Sequence, residues 1–355
     1  MKKLLVLIII LAIAVAGCFY TYNYMISASN NDGSEVNIYV SEGDTYSTIG
    51  SILKEKNIIK NELAYKIYVK LNKPTDLEFG EYSIKNNLSV EDVIKELKKG
   101  SNSKAETITV TFYEGKNMRN YVSKISKSFN IDEKEIYNKL SDSSYLDSLI
   151  QKYWFLTKSI KSNKIYYSLE GYLFPDTYEF YTSASIEDVF EKMLNNTEKK
   201  LNSYKEKIEK SKYSIHEIMT LASIVEQEAG NSNDRKGVSG VFYNRLEDGW
   251  PLGSDVTTYY QEKIDNFSKD LTNAELDKCG NYNTRSSCLS GKLPVGPICN
   301  PGIESIAAAI SPKKHNFYYF VADKNGKTYF NKTGDEHSST VSKLKREGLW
   351  IEYED

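Results

Sequence analysis

The sequence predicts an α+β fold behind an N-terminal membrane anchor, with a small α/β domain followed by a larger domain of mixed helices and strands. Three observations support this: an apolar N-terminal run, short strand-like segments that alternate with capped amphipathic helices, and a composition of 40% hydrophobic and 26% charged residues over 355 positions, which suffices for a core. We place the anchor at 1–26, a linker at 27–35, the small domain at 36–100 and the larger domain at 105–355.

The anchor is predicted from the first 30 residues. Lys2 and Lys3 precede Leu4–Ile26, and no charged residue follows until Asp32. At 1.5 Å per residue this apolar run would span ~34 Å, enough for a bilayer. The leading lysines favour a cytoplasmic N-terminus, a single pass through the cell membrane and an extracytoplasmic remainder. A cleaved signal peptide and a lipidated Cys18, since Val15–Cys18 resembles a lipobox, are the alternatives; we favour an uncleaved anchor.

Charge and motif content exclude several classes of function. The net charge of −2 gives no indication of a nucleic-acid partner. There is no P-loop, G-x-S-x-G, H-E-x-x-H or C-x-x-C motif, and only three histidines, so we expect neither a metal nor a cofactor. Outside the cytoplasm a disulfide can form, and Cys279 and Cys288 are the closest pair, with Cys299 left over.

The small domain begins with a strand at Val36–Val40 and ends with a helix at Ser89–Lys98, capped by Ser89. Between them we expect helices at Thr45–Lys56 and Glu62–Leu71 and a turn and strand at 79–84. The segment from Val40 to Thr45, followed by a helix, resembles the opening of a LysM-like glycan-binding module.

The larger domain is predicted to alternate strands, helices and one long loop. Expected elements are a strand at Ile108–Glu114, helices at Met118–Phe129, Ile131–Leu140, Tyr145–Tyr153, Ser185–Tyr204, Asp234–Leu246, Ile303–Ile310 and His337–Glu347, and a hairpin formed by Phe317–Ala322 and Lys327–Phe330.

Two aromatic segments fit either packing or binding. In Leu169–Phe180, Gly171 and Pro175 prevent a regular helix, so the segment is a packed loop or one wall of a groove in which aromatic rings offer stacking faces for sugars. The loop Asn281–Gly302 is long enough to indicate a function.

The segment Ser214–Gly230 predicts an amphipathic helix that ends in acidic residues. Ser214 and Glu217 have the spacing of a capping box, and apolar residues recur at three- and four-residue steps. Glu226 and Glu228 fall on opposite flanks of the apolar stripe, whereas Gln227 is expected to face solvent. A carboxyl against apolar side chains near the negative end of a helix should have a raised pKa, which suits a general acid. Periodicity does not choose between the two glutamates, and two solvated acids at a helix end remain the alternative.

A series of segments resembles the endolytic murein transglycosylase family (MltG/YceG-like). The resemblance covers nearly the whole chain after Asn37, although Val256 and Val295 stand where many members have proline. Its segments are Leu169–Tyr178 (LEGYLFPDTY), Ala222–Ala229 (ASIVEQEA), Val241–Leu246 (VFYNRL), Leu252–Tyr259, Tyr282–Thr284, Leu293–Gly302 (LPVGPICNPG), Ala307–Pro312 and Tyr318–Ala322.

The resemblance implies a peptidoglycan lytic transglycosylase, a lyase that cleaves the bond between N-acetylmuramic acid and N-acetylglucosamine in nascent glycan strands. A 1,6-anhydromuramoyl end would form, and glycan elongation would stop. It implies Glu228 as the catalytic residue, membrane attachment, and penicillin-binding synthases as partners. The residues expected to orient or stack on the sugars are Asn244, Tyr282, Asn283, Thr284, Tyr172 and Tyr178.

Two other functions stay open from the sequence. One is a muramidase, a hydrolase in which Asp255 is the second carboxylate. The other is a non-catalytic scaffold of wall synthesis that binds glycan strands through the LysM-like unit.

Overall fold

The computed structural model describes residues 2–29, 32–41, 43–100, 107–231 and 233–350; for 2–8 and 10 it describes the backbone alone. The chain divides into two compact units, Met1–Thr107 and Ile108–Asp355. The boundary expected between 100 and 105 falls in the segment 101–106, outside the described residues.

The first unit is an antiparallel strand pair with helices before, between and after the strands. Its elements are α1 (Lys2–Ile26), β1 (Glu35–Val40), α2 (Gly50–Glu55), α3 (Glu62–Asn72), β2 (Gly80–Lys85) and α4 (Val90–Lys98). Strands β1 and β2 pair from Glu35 opposite Lys85 to Val40 opposite Gly80. Their inward residues form one core with residues of the helices, among them Leu53 and Tyr65. Within the described side chains, no helix has both the length and the apolar composition that a membrane crossing requires.

The helix expected at Thr45–Lys56 is shorter than predicted, since only Gly50–Glu55 is helical. The amide of Thr45 donates to the Thr48 hydroxyl at 2.8 Å, and that hydroxyl donates to Asp44 Oδ1 at 2.8 Å. Side-chain bonds of this kind compete with the helical backbone pattern. The first part of the segment is therefore a turn.

The second unit is mainly helical, with two separate two-stranded sheets in the part of the chain described. Its elements are β3 (Thr107–Thr111), α5 (Met118–Phe129), α6 (Glu133–Leu140), α7 (Ser143–Lys152), β4 (Thr177–Tyr181), α8 (Ile186–Leu201), α9 (Lys205–Glu209), α10 (Ile215–Glu228), α11 (Arg235–Glu247), α12 (Asp255–Gln261), α13 (Asn273–Asp277), α14 (Ile303–Ile310), β5 (Tyr319–Ala322), β6 (Thr328–Asn331) and α15 (Gly334–Arg346). Strand β3 pairs with β4, and β5 pairs antiparallel with β6. The helix α10 is packed by α11, α12 and α14.

Helix α10 is buried nearly all round, which differs from the single apolar face that its periodicity predicts. His216, Thr220 and Ser223 are buried as well. Thr220 donates to the carbonyl of His216 at 2.7 Å, and Ser223 accepts the amide of Ile298 at 3.0 Å. Because these polar groups are satisfied inside the protein, a helix of mixed composition can occupy the centre of the core.

A glycine allows the aromatic segment before β4 to approach the loop before α14. Gly171 has φ +84°, and a Cβ there would lie 2.4 Å from Cβ of Pro297. Its amide donates to Asn300 Oδ1 at 3.0 Å. Both the left-handed backbone and the close contact require glycine at this position.

A buried carboxyl joins three parts of the second unit. Oε2 of Glu170 accepts the amide of Met118 and the hydroxyl of Tyr260, both at 2.9 Å, and Oε1 accepts Asn300 Nδ2 at 3.3 Å. Burial raises the pKa of Glu170 to about 7. Glu170, a carboxyl that is easily protonated, therefore connects the start of α5, the helix α12 and the loop before α14.

We expect Glu170 to make the protein less stable as pH rises. Its folded-state pKa of about 7 lies above the ordinary 4.5, so between these values the folded state binds the extra proton and the free energy of unfolding falls with increasing pH. The full shift corresponds to about 3 kcal/mol. Glu170→Gln should remove this part of the pH dependence, measured by urea unfolding of the full chain at about pH 5 and about pH 8.

The exposed Glu209 provides the matched control, since Glu209→Gln should leave the pH dependence as in wild type. Parallel pH profiles for wild type and Glu170→Gln would contradict this assignment.

Candidate active site

The C-terminal end of α10 forms the centre of the site. The predicted capping box is confirmed: Ser214 accepts the amide of Glu217, and the Glu217 carboxylate accepts the amide of Ser214 at 2.8 Å. The helix ends at Glu228, two residues before the expected stop at Gly230. The expectation that Gln227 faces solvent is wrong, because its side-chain amide donates to the carbonyl of Gly115.

Glu228 is held by one hydrogen bond at a single oxygen. The hydroxyl of Ser254 donates to its Oε1 at 2.5 Å, and no residue in the described ranges donates to Oε2. Burial raises the pKa of Glu228; the hydrogen bond from Ser254 acts against this, and the nearby charge of Asp255 adds to it. The raised pKa expected for a helix-end acid is thus found here.

Two arginines limit how far the pKa of Glu228 rises. The positive charges of Arg245 and Arg285 both lower it, although less than burial raises it. Arg245 is held by the carbonyls of Tyr318, at 2.7 Å, and Leu252. Arg285 forms an ion pair with Asp255, with Nε and Oδ1 3.2 Å apart. The acid therefore lies between a fixed cation and a paired carboxylate, and none of the described residues forms an ion pair with it.

Glu226 has both oxygens engaged, which separates it from Glu228. Its Oε1 forms an ion pair with Arg235 at 3.1 Å, and its Oε2 accepts the amide of Gly302 at 2.9 Å. The side chain is only 6% exposed. A carboxylate that is held in this way secures α10 to the start of α11 and α14, and it offers no free oxygen to a ligand.

Ser254 is positioned by a network of threonine hydroxyls. Its amide donates to the hydroxyl of Thr284 at 3.1 Å, and its carbonyl accepts the hydroxyl of Thr257 at 2.6 Å. The two threonine hydroxyls are 2.9 Å apart. Because all three residues are buried, Ser254 has little freedom to turn away from Glu228.

The loop residues expected to bind sugars are placed in the core behind Ser254. Asn283 is fully buried, where its Oδ1 accepts the hydroxyl of Thr258 at 2.7 Å and its amide group donates to three carbonyls. Tyr282 is buried between Tyr166 and Tyr260, with ring centroids 4.8 Å from each. The structure therefore places Tyr282, Asn283 and Thr284 as supports of the loop rather than on an accessible surface.

The two tyrosines of the LEGYLFPDTY segment are also buried. The hydroxyl of Tyr172 donates to Nδ1 of His216 at 2.8 Å, whose Nε2 donates to the carbonyl of Val295 at 2.8 Å. Burial lowers the pKa of His216, which agrees with this neutral tautomer. Tyr178 donates to the carbonyl of Phe174 at 2.7 Å. Both rings contribute to the core in which α10 lies.

Asn244 lies at a different surface from the acid. Its side-chain amide donates to the carbonyls of His315 and Phe317, at 3.0 and 2.8 Å. It lines a cavity of about 530 Å³ together with Tyr213 and Tyr243, and Glu228 is not among the lining residues. The structure thus does not bring Asn244 together with Glu228.

A second cavity, of about 260 Å³, lies near the acid along the chain, although neither Glu228 nor Ser254 lines it. Two of its lining residues flank the site in the chain, since Gln227 precedes Glu228 and Val256 follows Ser254 by two positions. The other lining residues are mainly amide, charged and aromatic: Gly115, Lys116, Asn117, Arg119, Asn120, Tyr260, Ile264, Asp265, Phe267 and Ile298. Asp265 orders the polar wall, accepting from Asn117 and Arg119 at 2.6 Å each.

The loop that supports Ser254 is closed covalently. Cys279 and Cys288 form a disulfide, so the closest pair in the sequence is the pair that is joined. Cys299 is buried with a free thiol, and Cys18 is exposed. The bridge encloses Tyr282, Asn283 and Thr284.

Sequence reasoning did not identify Ser254, Arg245 or the polar wall at Asn117 and Arg119. Ser254 and Arg245 both lie within segments that carry the family resemblance, beside residues that were singled out. Their roles depend on contacts between distant parts of the chain. The hydrogen bond between Ser254 and Glu228, for example, joins residues that are 26 positions apart. Spacing within one segment contains no signal for such contacts.

Comparison with known proteins agrees with this arrangement. Residues 38–343 match the YceG-like family. The chain is 33% identical over 335 residues to an endolytic murein transglycosylase of Bacillus subtilis (strain 168), covering 93% of this chain and 90% of that protein. It is 30% identical to the protein of that name from Streptococcus pneumoniae serotype 2, with 94% of this chain matching 64% of the relative.

The fold is similar to that of a crystal structure of a putative yceG-like protein from Listeria monocytogenes. The TM-score is 0.61 at 30% sequence identity, and the match covers 87% of this chain and 100% of that chain. With most of its length matched by the family and by relatives of this identity, the chain belongs to the YceG-like family.

Proposed function

We propose that this protein is an endolytic murein transglycosylase, a lyase that cuts glycan strands of peptidoglycan between N-acetylmuramic acid and N-acetylglucosamine. The observation that carries the proposal is Glu228, a carboxyl of raised pKa with one oxygen fixed by Ser254 and the other unbonded within the described residues. Relatives that match over most of this chain carry the name of this activity.

One carboxyl group suffices for both proton transfers. Because Oε1 accepts from Ser254, the proton of the neutral acid resides on Oε2. Oε2 donates it to the glycosidic oxygen while the bond from that oxygen to C1 of the muramoyl residue breaks, through an oxocarbenium-like state. The C6 hydroxyl of the same residue then bonds to C1 and gives its proton to the carboxylate. An anhydro end forms, Glu228 regains its proton, and no water is consumed.

The cavity lined by Gln227, the residue before Glu228, offers groups that can hold the sugar. Amide and guanidinium donors at Asn117, Asn120 and Arg119 match the hydroxyl and acetamido oxygens of a glycan, and Phe267 is an exposed ring on which a sugar can stack. The core residues Tyr172, Tyr178, Tyr282, Asn283 and Thr284 would then act by holding the walls of the groove, and Asn244 by holding the segment before β5.

The proposed setting is the outer side of the cell membrane. The lysine-led apolar run supports a single-pass anchor with a cytoplasmic N-terminus, in agreement with the continuous helix α1. The strand–helix–helix–strand order of the first unit supports a LysM-like module that binds the strand. Partner synthases of the penicillin-binding class, whose elongation this cleavage would end, remain part of the proposal.

Substitution of the two glutamates should have opposite consequences. Glu228→Gln removes the general acid, so cleavage should fall by at least about 100-fold, with thermal stability unchanged or raised because a half-buried carboxyl of raised pKa is gone. Glu226→Gln should retain cleavage but lose roughly 1–3 kcal/mol of stability, since it leaves Arg235 with a weaker partner. Digestion of uncrosslinked glycan strands and thermal unfolding measure both, and full activity in Glu228→Gln would refute the assignment.

Removal of the Ser254 hydroxyl should change the pH profile as well as the rate. The hydrogen bond lowers the pKa of Glu228, so in Ser254→Ala the decline in activity with rising pH should move to higher pH. The maximal rate should fall roughly tenfold because Oε1 is no longer held. Ser254→Thr should restore the pH profile. The control for packing is Ser286→Ala, which removes the hydroxyl of a buried serine in the loop before α14 that donates to the carbonyl of Asn283. An unchanged profile in Ser254→Ala would contradict this role.

The mass of the product separates the proposed reaction from hydrolysis. Attack by the C6 hydroxyl yields an end that is lighter by one water than the reducing end a muramidase produces. Asp255, the base that hydrolysis would need, is paired with Arg285. We therefore expect anhydro products by mass spectrometry; reducing ends alone would overturn the transglycosylase mechanism while leaving Glu228 as the acid.

A further inference from the structure

The helix α3 exposes a row of apolar side chains that its own fold does not use. Leu63, Ile67 and Leu71 are 68%, 42% and 70% exposed. They are spaced four residues apart, so they form one ridge along the helix. The buried side of α3 is supplied by other residues, Ala64 and Tyr65. The ridge is therefore not part of the core of the first unit.

Lysines border this ridge. Lys66 and Lys70 are exposed and fall with the three apolar residues inside an arc of about 140° at 100° per residue. Lys66 pairs with Glu62 at 2.6 Å, whereas Lys70 forms no ion pair with any residue in the described ranges. The surface thus combines long aliphatic side chains with positive charge, as interfacial membrane helices do.

The start of α3 lies beside the C-terminal end of α1. The ammonium of Lys60 donates to the Ser27 hydroxyl at 2.9 Å and lies 4.3 Å from the centre of the Tyr24 ring. Ile26 packs against the core of the same unit. The last turns of α1 also expose Phe19 and Tyr20, residue types that are enriched where a helix leaves a bilayer.

We propose that Leu63, Ile67 and Leu71, with Lys66 and Lys70, form a docking surface for the outer face of an anionic lipid membrane. The aliphatic side chains enter the boundary between head groups and acyl chains, and the lysine ammonium groups contact lipid phosphates. The inference rests on the proposed anchoring by α1, which would bring this ridge to the bilayer. A symmetric contact between two copies is disfavoured, because it would place the lysines of one ridge against those of the other.

The function of this contact is orientation. A single helical anchor can tilt in the bilayer, and the first unit, against whose core Ile26 packs, would tilt with it. A second contact on α3 fixes the tilt of the first unit relative to the bilayer.

The test uses the full chain reconstituted in vesicles, with the exposed native thiol removed by Cys18→Ser. An environment-sensitive fluorophore is attached at Ile67→Cys or, as the matched control, at Ser51→Cys on the exposed side of α2. The vesicles contain phosphatidylglycerol or only phosphatidylcholine, with nitroxide lipids as shallow quenchers. We expect at least twofold stronger quenching at position 67 than at 51, decreasing without anionic lipid and at high salt.

Additional variants complete the test. Leu63→Gln with Leu71→Gln should reduce the quenching at position 67, while cleavage of soluble glycan strands by the same protein stays as in wild type. A protein that floats with the vesicles but responds equally at 67 and 51 overturns the docking surface and leaves the anchor standing. Quenching that depends on the protein-to-lipid ratio indicates that a second copy of the protein covers the ridge, and this result also overturns the membrane-docking surface. Failure to float overturns both the anchor and the surface, whereas loss of activity in Glu228→Gln bears only on the enzyme.

Discussion

The hydrogen bond from Ser254 to Glu228 is the interaction around which the second unit is arranged. A carboxyl group that is partly withdrawn from water and has a single donor stays protonated more readily than a solvated one. Two features maintain this environment of Glu228. Helix α10 is packed among α11, α12 and α14, and Ser254 is held by hydrogen bonds with Thr257 and Thr284. Most of the polar residues near the site therefore bind one another, and their role is to hold geometry.

The two glutamates at the end of α10 show how position decides chemistry between identical side chains. Glu226 has a cation and a backbone amide on its two oxygens, so it is a structural carboxylate. Glu228, two residues on, has one hydroxyl donor and no direct counter-ion within the part of the chain that the structure describes. Arg245 and Arg285 act on it from a distance and lower its pKa, against the larger effect of burial, which raises it.

Local chemistry made much of the fold predictable. The bounds of α5 and α14 agree with the sequence, and the capping box of α10 is present, because caps and periodicity act within a few residues. The turn at Thr45 was missed because side-chain bonds there replaced helical ones. The aromatic and amide residues at 172, 178 and 282–284 were recognised as special, but a sequence does not distinguish a tyrosine that lines a groove from one whose hydroxyl is bonded to His216 in the core. Contacts between distant segments decided that difference.

The disulfide has a consequence for the motions of the site. Between α12 and α14 the described chain has only one short helix, α13, and a 3₁₀ turn, so this loop is the part of the site with the least regular support. A bridge across nine positions lowers the entropy of the opened loop, which corresponds to about 2.6 kcal/mol of free energy at room temperature. When the loop opens, Thr284 therefore has few conformations available, and its hydrogen bond with Ser254 re-forms readily. Local opening becomes rarer and shorter, and the catalytic geometry is recovered without refolding the surrounding unit.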